Sequence, residues 1–114
     1  MSKALDRAIE RCVPGVRLRV VESTYRPELN GTVRTITGQS RFSSRLFTCD
    51  SSHDPSREHA MELAKTNLEW LDADTIRYPI GRKGLGGQPH TITLQFLAPA
   101  QQQANRNGIR DELG

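Results

Sequence analysis

Aromatic residues make up only 5% of this 114-residue chain, which holds one tryptophan, two tyrosines and three phenylalanines. Few large rings are available to fill a core, and with 35% hydrophobic residues the interior must be small and chiefly aliphatic. Cysteine is scarcer still. Cys12 and Cys49 lie far apart and form no CxxC pair, which argues against a disulfide framework or a zinc knuckle and leaves two reduced, half-buried thiols as the expectation. No segment nears the ~20 apolar residues of a membrane-spanning helix. Met1 is followed by Ser2, Lys3 and an amphipathic stretch, so a soluble, cytoplasmic protein is expected. No catalytic motif can be traced either: neither an enzyme nor a cofactor is expected.

What the chain does have is charge. The net charge is +3, and its distribution is uneven. Residues 1–50 carry nine basic against five acidic groups, residues 51–75 two against six, and residues 76–114 five against two. An acidic segment thus separates two basic ones, a pattern that ordinary solvated charge also produces. The length suits one modest core, giving one expected domain over residues 1–98 and a flexible or partner-ordered polar tail over 99–114.

Periodicity supplies the elements. Leu5, Ala8, Ile9 and Cys12 fall on one face of a short helix that Ser2 can cap and that Pro14 and Gly15 stop. Val16, Leu18 and Val20 alternate with Arg17 and Arg19, as in a half-buried strand with a basic outer face. Pro27 presets a turn, and Asn30-Gly31, read as a pair with positive φ, reverses the chain before a strand over Thr32 to Thr37. Gly38 to Ser44 reads as a polar reversal, followed by a strand from Arg45 to Cys49. Over residues 54–65, Asp54 and Pro55 fit a helix start, although a long loop with one helical turn fits as well. Two short strands then follow, through Leu68 to Leu71 and Ile76 to Ile80. The four-glycine stretch from Gly81 to His90 reads as a loop, and Thr91 to Leu97 as an amphipathic strand. That last strand, placed at an edge, offers a route to a homodimer.

Two stretches carry a resemblance. "GVRLRVVESTYRPELNGTVRTIT" and "LEWLDADTIRY" together resemble the opening and the closing strands of an SH3-like small β-barrel of the KOW type, over roughly Val16 to Tyr78. The resemblance implies a mainly β fold with minor α: a small barrel with a short N-terminal helix and an extended C-terminal tail. It also implies binding of nucleic acid or another protein through loops and one sheet face. Signalling SH3 domains grip proline-rich peptides with a row of aromatics, and here only Tyr25 and Trp70 could stand in such a row. The short basic chain and polar tail also look like accessory proteins of phages and mobile elements.

Candidate binding residues follow from charge and display. Arg17, Arg19, Arg34, Arg41 and Arg45 fall in consecutive strands and the turn between two of them, where a planar guanidinium suits phosphate or carboxylate. Solubility and edge protection explain outward arginines equally well. Tyr25 and Arg26 sit in a turn that displays both, the tyrosine for stacking on a base or packing on a partner. Arg82 and Lys83, within "GRKGLGG", could contact phosphate, though the stretch lacks the P-loop order and also reads as a plain connector. Trp70 is the core anchor in a chain so poor in rings. Cys49, His53, His59 and Glu62 are potential metal ligands by type, but their spacing matches no zinc module, so no metal is expected.

The function expected is a non-enzymatic module that binds nucleic acid, or a protein of a nucleic-acid-handling complex, through the arginine face. The alternative is a protein-interaction or inhibitor module.

Overall fold

The structure, a computed structural model, describes residues 3–80 and 90–97. Helix α1 (Lys3–Arg11) precedes seven strands: β1 (Arg17–Ser23), β2 (Val33–Gln39), β3 (Leu46–Ser51), β4 (His59–Glu62), β5 (Glu69–Asp72), β6 (Thr75–Ile80) and β7 (His90–Phe96). All seven belong to one antiparallel sheet in the order β4-β3-β2-β1-β7-β6-β5. The fold is therefore mainly β with one short helix. Every pairing joins sequence neighbours except β1 with β7, which brings the start of the sheet to its last strand.

One face of the sheet is apolar because the strands alternate. Leu18 and Val20 stand opposite Phe96 and Leu94, Ile76 and Tyr78 continue the face on β6, and Ile36, Cys49, Phe47 and Met61 extend it the other way. In a flat sheet β4 and β6 would lie about 24 Å apart, five steps of roughly 4.8 Å. Yet residues of both strands line a single cavity, so the sheet is strongly curled around this face. Bulges at Val20/Glu22 and Ile36/Gly38 add twist where the curl is needed. The curl does not become a closed barrel. The edge strands β4 and β5 are not hydrogen-bonded to each other.

α1 covers part of the apolar face with Leu5, Ala8, Ile9 and, just beyond its end, Cys12, the four positions picked out by helical spacing. Trp70 fixes it in place. Its ring stacks on Phe96 at 5.8 Å, its indole N–H donates to the Ala4 carbonyl at 3.0 Å, and the Arg7 guanidinium lies 3.9 Å above it. Arg7 and Arg11 both donate to the Ala73 carbonyl in the β5–β6 turn. Trp70 is thus a core anchor, as its rarity suggests.

Five expectations are corrected. No helix forms over 54–65. Asp54 instead accepts from the Ser56 backbone N–H and hydroxyl in a tight turn, and His59 to Glu62 pairs with β3, because Met61 and Leu63 alternate with Ala60 and Glu62 and bury on the core side. Asn30 does not take positive φ: at φ −57°, ψ 132° it precedes Gly31 at φ +86°, a type II arrangement closed by the Thr32 N–H on the Leu29 carbonyl. Gly38 and Gln39 belong to β2 rather than the reversal. Thr91 to Leu97 is no edge; β7 lies between β1 and β6, so a second copy cannot pair along it. The thiols are wholly buried rather than half-buried, at 3% and 0% exposure.

Two measurable consequences arise here. Nothing lies within 4 Å of where a β-carbon on Gly31 would stand, so a Gly31→Ala cost is backbone strain alone. That strain is about 1 to 2 kcal/mol, expected as a melting-temperature drop of about 5 to 10 °C in a thermal scan. Burial raises the Cys12 thiol to about 12 and also raises Cys49. Neither is expected to react with a chromogenic disulfide reagent at pH 8 until denaturant is added.

Candidate anion-binding groove

Strand register decides where each arginine goes. Leu18 stands opposite Arg34 across β1 and β2, and residues directly opposite share a face, so Arg34 belongs to the curled, inner side together with Ile36. Arg17 and Arg19, opposite Thr35 and Val33, belong to the outer side. Arg45 precedes β3 and shares the parity of Phe47; it donates to the Leu63 carbonyl at 2.6 Å and pairs with Glu62 at 3.4 Å. Arg41 is exposed in the β2–β3 turn beside Phe42, which is 96% exposed. The arginines of consecutive strands are therefore divided between two faces and one turn. Arg82, Lys83 and the glycine loop lie outside the described residues, as does the 99–114 tail.

Tyr25, Arg26 and Arg34 come together. They line a cavity of about 230 Å³ with Met61, Tyr78, Ile80 and Ile92 as its apolar floor. This cavity adjoins a larger one, of about 400 Å³, through shared walls at Arg26, Leu29, Arg34 and Ala60. The larger cavity also receives His53, Asp54, Arg57 and His59. A third, of about 320 Å³, continues past Glu62 and Ile80 to Arg45, Leu63 and Pro79. The three form one trough along β4, on the side where the sheet fails to close.

The charges of the trough are not equivalent. Arg26 is held by Glu28 at 2.8 Å, and that contact keeps the Glu28 carboxyl below its ordinary range. Arg57 is held by Asp54 at 3.2 Å, whose carboxyl is lowered first by the Ser56 hydroxyl and then by Arg57 itself. The His59 ring is fixed by a 2.9 Å hydrogen bond to the Asp54 carbonyl. Arg34 differs. It is half-buried, and its guanidinium has no hydrogen-bond or ion-pair partner among the described residues. An arginine with no carboxylate on it can meet an anion that arrives from outside. Arginine is the residue type best suited to meet it, with a planar fork of donors.

Tyr25 is 46% exposed at the rim, edge-on to His90 with ring centroids 5.2 Å apart. His90 stands opposite Ile80 in the β6–β7 ladder, so an aromatic pair flanks the apolar floor. Cys49 faces His59 across β3 and β4, but no three histidine, cysteine, aspartate or glutamate side chains converge among the described residues.

Arg57 and the place of the two histidines in an anion groove escaped the sequence reading. The alternation His59, Met61, Leu63 is the only local sign of a strand there, and it is too short to stand out against the helix start at Asp54-Pro55. Comparison with protein-family models, with curated proteins and with solved structures finds no match to this chain.

Proposed function

We propose that this protein is a non-enzymatic binding module for nucleic acid, working through the trough along β4. The observation that carries this is the convergence of Tyr25, Arg26 and Arg34 on one groove, where Arg34 makes no ion pair with any of the described residues. Phosphate meets the guanidinium groups and a base meets the ring. On this proposal the curled sheet is kin to the SH3-like barrels, opened at the seam where they close, and the protein serves as a cytoplasmic accessory of a nucleic-acid-handling complex, of the kind phages and mobile elements carry. Arg17 and Arg19, on the other face, are secondary.

The test is fluorescence anisotropy with labelled single- and double-stranded DNA and RNA at 50 and 200 mM salt. With about three phosphates neutralised, and roughly 0.7 of a unit of log–log slope for each on a single strand, affinity falls about fifteen- to twentyfold between the two salts. An Arg26→Ala, Arg34→Ala protein loses this binding, while Arg17→Ala, Arg19→Ala retains most of it. Absence of binding to all four nucleic acids overturns the proposal.

One feature favours the second reading, a protein-interaction or inhibitor module. β5 is an open edge, and Leu71 on it is 45% exposed. A strand of a partner, or of a second copy, can pair there.

A further inference from the structure

We propose that the trough accepts a single strand and rejects the duplex, a specificity that rests on the nucleic-acid reading above. Arg34 is the reason. Arg34, a half-buried residue, lines a concavity bounded by β4 on one side and by β6 on the other, with Ile80 on the floor. A flexible single strand can lower one phosphate into that concavity. A duplex carries its phosphates on a stiff convex surface and keeps its bases stacked inside, so it reaches neither Arg34 nor the floor without unstacking, which costs a few kcal/mol per step. Charge and rings are also arranged for an unpaired strand. Arg34 and Arg26 lie beside Tyr25, which is edge-on to His90, and sequence-tolerant stacking of bases on such rings next to a cationic track is the common solution for single strands. β4 itself spans about 13 Å, four residues at roughly 3.3 Å each, so the part of the trough along it takes a short segment.

An acidic peptide added as a strand to the β4 edge would use the same arginines. It would leave the exposed ring pair at the rim without a role.

The experiment compares a labelled twelve-nucleotide single strand, the same sequence as a blunt duplex, and a labelled acidic peptide of similar charge, each titrated with the whole protein at 50 mM salt. At least tenfold preference for the single strand is expected. Tyr25→Ala, with the fold checked by a thermal scan, should weaken single-strand binding about tenfold, and Tyr25→Phe should restore it. Equal affinity for strand and duplex overturns the specificity while the nucleic-acid reading stands. A Tyr25→Ala protein that binds the single strand as well as the parent also overturns it. Binding of the peptide with neither nucleic acid bound overturns both.

Discussion

Replacing Arg34 by alanine should weaken nucleic-acid binding by about ten- to a hundredfold, corresponding to the 1.5 to 3 kcal/mol of a hydrogen bond to a charged group. It should do so without lowering stability. Most half-buried arginines are tied to a carboxylate, and removing them strands the partner. Arg34 has no such partner among the described residues, so its removal strands nothing. The melting temperature is expected to stay level or rise, the usual sign of a position kept for function at the expense of the fold. Arg45→Ala should behave in the opposite way. Its guanidinium holds the Leu63 carbonyl and Glu62, so its loss loosens the end of β4 and lowers stability while affecting binding less. Paired anisotropy titrations and thermal scans on the two variants separate the roles.

Trp70→Ala should produce the largest loss of stability of any single substitution outside the fully buried core. The change removes the stack on Phe96, the hydrogen bond to Ala4 and the ring beneath Arg7 together. Large aromatic truncations cost about 3 to 5 kcal/mol, and partial exposure of Trp70 places this one near the lower end. Against a total of about 5 to 15 kcal/mol for a domain, that is a large share. A melting-temperature drop of more than about 10 °C is expected, with α1 the first element to lose amide protection in hydrogen exchange. Trp70→Phe keeps the stack but leaves the Ala4 carbonyl without its donor. It should recover roughly half of the loss.

The helix, β1, β6 and β7 were legible because each carries its own period over several residues, as in Leu18, Val20 and in Ile92, Leu94, Phe96. β4 was not. Four residues are too few for a period to stand out, and Asp54-Pro55 mimics a helix start, whereas what makes the segment a strand is the partner β3, which sequence spacing does not announce. Tyr25 and Arg26 were recognisable from a turn that had to display them. The face of Arg34 was readable in principle from its spacing to Ile36, but consecutive arginines invite assignment to one outer surface. Only the β1–β2 register divides Arg17 and Arg19 from Arg34. The trough itself depends on where the curled sheet stops short of closure, and that is a long-range property which places β4 across a cavity from β6.

The most direct measurement is an amide chemical-shift titration of the labelled protein with a short single-stranded oligonucleotide. The largest shifts should fall on Tyr25, Arg26, Arg34, His53 and the β4 residues from His59 to Met61, with Arg17 and Arg19 little changed. Shifts concentrated on Arg17, Arg19 and the outer face, or none at saturating oligonucleotide, would contradict a groove along β4 as the binding site.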